Sequence, residues 1–354
     1  MQFVRLAKLG LIAGLASLAA LGAFETVQAR PKPPPVIEAP PPPPPMPEVS
    51  LARHFVADAG AFDDYIRQAS SISPAFTDAQ SVGQSLRAGS AYEPGQLRRG
   101  AVAYAAIAVL TDSAFVADVR RAGATPEARY ALVAKIFSNP RTALEFADGA
   151  RAAGIAKQAL VGGGMRLYDA GNAVRLAAYS IQHQPWSLQT VPDLDTRASD
   201  VKRLSTAMHG SPNSETQNLY LMVAGEAPSS LNLDPSPGPY TGMVVRAVAL
   251  AALASIGQAD DEAAPRLGWL SDDYYVDHCL SEAKLSLFEC LAVARPNYED
   301  VFCLGQHAMK DTGACLVIGA GGAVPIDIAV KPLAVPSAHL GKASAATHRR
   351  HHTN

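Results

Sequence analysis

Small and apolar residues repeat with a helical period through residues 154–184. Gly164, Gly171 and Ala178 recur every seven residues, Ala170, Ala173 and Ala177 stand beside them, and Leu160, Leu167 and Val174 form a neighbouring apolar stripe. Seven residues make nearly two α-helical turns, so each stripe stays on one face. The pattern predicts a central packing helix with a face smooth enough for a partner backbone to approach closely. Pro185 ends it, because proline biases the preceding residue away from helical backbone.

Helix starts recur elsewhere. Thr125-Pro126-Glu127 and Asn139-Pro140 place a capping residue before a proline at the first helical position, and Tyr92-Glu93-Pro94 opens a helix through Ala101 to Leu110. Met243 to Ile256 is strongly apolar but too short to span a bilayer, and Arg246 interrupts it, which predicts a buried core helix. Ser187 to Glu215 is rich in Asp, Ser and Thr and predicts only a short helix near Asp200 to Met208. Pro228, Pro235, Pro237 and Pro239 forbid regular structure between Ala227 and Gly242. Beyond Gly319 the chain runs into Gly321-Gly322. Alanine is abundant, alternating segments are scarce, and no fixed-period repeat supports a solenoid. The expected fold is all-α: a multi-helix globular domain over residues 51–330, with a disulfide-stapled C-terminal helical hairpin in a sub-lobe at 267–320.

That hairpin is read from four cysteines. Cys279, Cys290, Cys303 and Cys315 nest about Arg295-Pro296-Asn297, a helix stop followed by a helix start. Leu280, Ala283, Leu287, Cys290, Leu291 and Ala294 share one apolar face of a first helix taken from Leu280 to Ala294. Asn297 is placed as the cap of the second, with Glu299 and Asp300 in its first turn and Phe302, Cys303 and Met309 following until Gly313 stops it. An intact first helix sets Cys279 and Cys290 ~16 Å apart, whereas a disulfide needs Cα atoms within roughly 4.4–6.8 Å. The expected bonds are therefore Cys279–Cys315 and Cys290–Cys303. Zinc is the rival, with His278 and His307 nearby, but structural zinc favours closely paired ligands and here ten to twelve residues separate successive cysteines.

The N-terminus reads as an export signal over residues 1–29. Arg5 and Lys8 precede an apolar run from Leu9 to Phe24, and Val27-Gln28-Ala29 is a cleavage site of the A-x-A kind. The expectation is a periplasmic or secreted protein cleaved after Ala29, with retention of the segment as a membrane anchor the other reading. Residues 30–50 are expected to form a proline-rich disordered linker, with an unbroken run from Pro40 to Pro45 that favours extended polyproline II. Residues 331–354 are expected to form a disordered basic tail: Lys331, Lys342, Arg349 and Arg350 appear with His348, His351 and His352 and no acid. The whole chain has a formal net charge of −2. No basic face announces itself, which disfavours nucleic acid as a partner.

Chemical motifs are weak. Ser281-Glu282-Ala283-Lys284 fits the S-x-x-K tetrad, in which a lysine activates a serine nucleophile. Its companion triplet is broken, since Lys310-Asp311-Thr312-Gly313 carries an extra Asp, and the tetrad is read as surface residues of a helix. Gly162-Gly163-Gly164 lacks the Lys-Ser/Thr of a phosphate cradle and is read as helix packing. Asp260-Asp261-Glu262, Asp272-Asp273 and Asp277 lack the alternating rhythm of a calcium loop and are read as solvated loops and helix caps. His54, His183 and His209 stand alone, and Glu145 is a bare example of an acid that an all-α hydrolase would use. No residue is assigned a catalytic, cofactor-binding or metal-ligating role, and no cofactor is implied. The expected function is that of an exported, non-catalytic envelope protein with a structural or partner-binding role. Its partner would be an envelope protein or cell-wall polymer. The alternative is a cell-wall-polymer hydrolase with an unidentified catalytic carboxylate.

Overall fold

A computed structural model describes residues 45–226 and 234–325. The export signal, the proline run up to Pro44 and the basic tail lie outside the described residues. Among those described the fold is all-α, with no strand and one isolated bridge between Thr190 and Pro296. No single helix among them is long and apolar enough to cross a membrane.

Two helices form the centre. α3 (Pro94–Leu110) starts where Glu93 accepts hydrogen bonds from the Gly95 and Gln96 amides, and its residues from Gly100 to Leu110 are all buried. α9 (Gly242–Ser255) is buried from Met243 onward except for Arg246, whose guanidinium pairs with Asp273 at 2.8 Å. The apolar core segment thus behaves as its composition predicts. α1 (Arg53–Ser70) packs along α3, α2 (Ala79–Ser90) packs on α1, α4 (Ser113–Ala122) touches both α3 and α9, and α5 (Pro126–Ser138) follows against α4. The packed body starts ahead of Leu51: Pro47 O accepts from Arg120, and the Ser50 amide donates to Ala254 O. Asn139-Pro140 opens a single 3-10 turn, Pro140–Leu144, and not a full helix. The next helix begins so soon that Gly149 already lies against Leu144 O.

That helix is α6 (Gly149–Ile181), 33 residues long and ~50 Å from end to end. It carries the predicted stripes, with Leu160, Leu167 and Val174 fully buried. The polar stretch after it holds a longer and earlier helix than expected, α7 (Leu194–Thr206), and α8 (Asn213–Ala224) begins at the end of the stretch. α7 starts at Asp193, which accepts from the Thr196 amide and hydroxyl, but buries only Val201 and Ser205. Two buried positions leave almost no hydrophobic period to read.

α10 (Tyr274–Val293) and α11 (Asn297–Cys303) make the hairpin, and a π-helical segment, Leu304–Asp311, leads on into α12 (Thr312–Gly319). The disulfides are Cys279–Cys315 and Cys290–Cys303, each with Cα atoms 5.7 Å apart. All four sulfurs are consumed, so no thiolate remains for zinc. Three details correct the expectation. α10 begins at Tyr274 because Asp273 accepts from the Val276 amide. Asn297 does not cap: its side chain donates to Trp186 O and Gln189 O, tying the hairpin turn to the segment after α6. Gly313 does not stop the second arm either. A Cβ there would stand 2.6 Å from Gly164 O and from the Tyr168 amide nitrogen, so the glycine admits α6. Gly171 faces Gly305 in the same way. The smooth stripe on α6 is the seat of the second arm, and one contiguous apolar cluster includes α6, the hairpin and the α3–α9 centre.

Candidate functional site

The C-terminal turn of α6 and the bend of the hairpin enclose an apolar cleft. Ala178, Tyr179 and Gln182 supply one wall; Cys290, Val293, Ala294, Tyr298, Phe302 and Cys303 supply the other, around a volume of about 350 Å³. Tyr179 and Phe302 meet edge to face across it with ring centroids 6.1 Å apart. Val293 is 74% exposed, a high value for a branched aliphatic side chain at the end of a packed helix. The Cys290–Cys303 bond joins the two arms within this lining, so the cleft cannot open by parting the hairpin. Glu299 is the acidic residue of the lining, and its carboxylate accepts from the Arg295 amide at 2.8 Å.

Behind α11 lies a buried ion pair. Arg197 of α7 pairs with Asp300 of α11 at 2.5 Å and also donates to Leu291 O and Ala294 O at the end of α10. Burial raises the Asp300 carboxyl to about 6, with Arg197 pulling the other way and Glu299 adding to the rise. Arg87, Asp193 and Asp200 share with this pair a cavity of about 220 Å³. A carboxylate of raised pKa beside a cavity is what the hydrolase alternative requires. Asp300, however, is 2% exposed and held by its guanidinium partner, which makes it a clamp between α7 and the hairpin bend.

The S-x-x-K tetrad departs from expectation. Ser281 is exposed, but Lys284 is 4% exposed and not a surface residue. Its ammonium nitrogen donates to Ser90 O at 2.8 Å and sits 3.3 Å from the centre of the Tyr92 ring. Burial holds its pKa well below the usual lysine value, with Glu93 opposing. The amine is turned inward to the C-terminal carbonyl of α2 and is not poised on Ser281. Lys310 and Thr312 are buried too, and the Thr312 hydroxyl bonds the Tyr92 hydroxyl at 2.6 Å.

The other motifs settle as structure. Gly162-Gly163-Gly164 lies within α6. The acids read as caps and loops have those roles: Asp260 accepts from the Ala263 amide, Asp261 pairs with Arg53, and Asp272 and Asp277 both pair with Arg98. His209 bonds Leu204 O through its ring, and Glu145 is exposed beside a pocket of about 410 Å³ that Lys135 and Thr142 also line. Among the described residues no group of three or more His, Cys, Asp or Glu is placed to hold a metal ion. Of the cleft, the sequence had marked Ala178, Cys290, Ala294, Cys303 and Phe302 for packing; Tyr179, Val293 and Tyr298 carried no signal, because the cleft joins segments more than a hundred residues apart. The chain matches no family model, no curated protein and no solved structure.

Proposed function

We propose that this is an exported envelope protein that recognises a protein partner without catalysing a reaction, through the cleft beside the Cys290–Cys303 staple. The observation that carries the reading is an apolar, aromatic-walled cleft with the exposed Val293 at its lip and a covalent cross-link in its wall. A preorganised pocket of this kind suits one apolar or aromatic anchor side chain from a partner, since such anchors dominate the energy of protein interfaces. The four cysteines, all oxidised, agree with an exported chain.

A photo-reactive amino acid at position 293 tests this against the same probe at position 130, where Tyr130 is also highly exposed but far along the chain. The expected result with envelope extract is one discrete protein adduct from position 293, absent from position 130 and abolished by Tyr179→Glu. Equal labelling from both positions would overturn the reading. Release of soluble fragments from purified wall polymer by the unmodified protein would put the hydrolase in its place.

A further inference from the structure

At the opposite end of α10 from the cleft, about 27 Å away by helical rise from residue 275 to 293, stands an exposed aromatic and acidic patch. Tyr274 is 76% exposed and Tyr275 83%, their ring centroids 5.8 Å apart, and His278 lies nearly parallel to Tyr274. Asp272, Asp277 and Glu282 lie close to them along the chain, and their carboxylates remain well exposed. The patch is rigidly held. Arg98, itself largely buried, pairs with both Asp272 and Asp277 and donates to Ser271 O; the neighbouring Cys279 is fixed to α12. Two adjacent tyrosines left this open on an anchored turn form a contiguous surface, unlike scattered single apolar residues.

We infer that this patch is the docking surface for the basic segment 331–354 of the same chain. Two observations point to that occupant. The first is charge: the segment holds Lys331, Lys342, Arg349 and Arg350 with no acid, and the patch offers carboxylates beside tyrosine faces, the pairing that attracts guanidinium and ammonium groups. The second is where the described chain leaves off. Gly319 packs directly against Val276, the residue after Tyr275, and Pro325 follows six residues later. Six residues span at most ~20 Å and the 25 from Pro325 to Arg350 at most ~80 Å, so the cations reach the patch with length to spare. Attachment through a short connection supplies an effective concentration on the order of 1 mM, enough to occupy a site too weak to hold a free peptide.

The test is tyrosine nitration of the full chain, read by mass spectrometry at Tyr274 and Tyr275 with Tyr130 as internal reference. The comparison is the full-length variant Lys331→Gln/Lys342→Gln/Arg349→Gln/Arg350→Gln. The expected result is about threefold slower nitration of the pair in the unmodified chain, the protection given by an effective concentration of ~1 mM over a dissociation constant of ~0.5 mM. The protection should vanish in the variant and at about 0.5 M salt, where screening shortens the Debye length to roughly 4 Å. Carbodiimide coupling should join Lys331 or Lys342 to Asp272, Asp277 or Glu282 within a monomer. Equal nitration in both proteins overturns the inference. So does protection that grows with protein concentration, with coupling in a dimer band, which would make the occupant a second copy.

Discussion

The three consecutive glycines of α6 face different surroundings, and alanine at Gly164 should differ in stability from alanine at the other two. A Cβ on Gly162 would meet only the Arg166 guanidinium at 3.8 Å, and one on Gly163 would make ordinary contacts of 3.7 and 3.9 Å with Ile66 and Phe62. A Cβ on Gly164 would stand 2.8 Å from Val317 Cγ2, 3.0 Å from Gly313 O and 3.1 Å from Leu316 Cβ. In a helix interior alanine is favoured over glycine by about 1 kcal/mol, so Gly162→Ala and Gly163→Ala should each stabilise by roughly that amount. Gly164→Ala gains the same propensity, but it drives α6 and α12 apart against a backbone carbonyl, an overpacking cost of typically 1–3 kcal/mol. The net change falls between about zero and a loss of 2 kcal/mol. The gap between Gly162→Ala and Gly164→Ala should therefore be about 1–3 kcal/mol, or several degrees in Tm for a chain of this size. Urea and thermal unfolding followed by helical circular dichroism measure it directly. Gly164→Ala as stable as Gly162→Ala would refute the close approach of the two helices.

Asp300 has a raised pKa, so the folded protein binds its proton more readily than the unfolded chain. Its contribution is full below the unfolded value near 3.9 and lost as pH rises through about 6, amounting to at most about 3 kcal/mol. Asp300→Asn should flatten the fall in stability between acid and neutral pH, and an unchanged slope would contradict the assignment. Lys284 is the mirror case: its depressed pKa makes the folded state reject the proton, so its contribution is full above the unfolded lysine value and is lost as pH falls through the folded one. Lys284→Met should be stable at neutral pH and lose the gain in stability that the unmodified protein shows toward alkaline pH. The disulfides span separations of 13 and 36 residues, so Cys290→Ser/Cys303→Ser should cost about 3 kcal/mol and Cys279→Ser/Cys315→Ser about 4 kcal/mol in the chain-entropy account. Denaturant midpoints that put the inner bond above the outer would run against that account.

Much of the fold was legible because it rests on rules acting within a turn or two of chain. Pro94 and Pro126 start helices whatever surrounds them, and the rise of an intact helix forbids a Cys279–Cys290 bond by distance alone. The seven-residue recurrence of Gly164 and Gly171 foretold a close backbone approach. It did not name the partner, which only packing identified as the arm carrying Gly305 and Gly313. Gly313 itself, read as a stop, is an interior helical residue because the requirement it meets comes from α6 and not from its own helix. The failures share that origin. α7 was understated because its few apolar residues serve one contact, and Lys284 was placed on the surface because a lysine's burial depends on Ser90 and Tyr92, nearly two hundred residues away. The Arg197–Asp300 pair joins positions 103 residues apart. Local backbone preference and helical geometry are written along the chain; a cleft, a buried charge or a shifted pKa is a sum over neighbours that only the folded chain assembles.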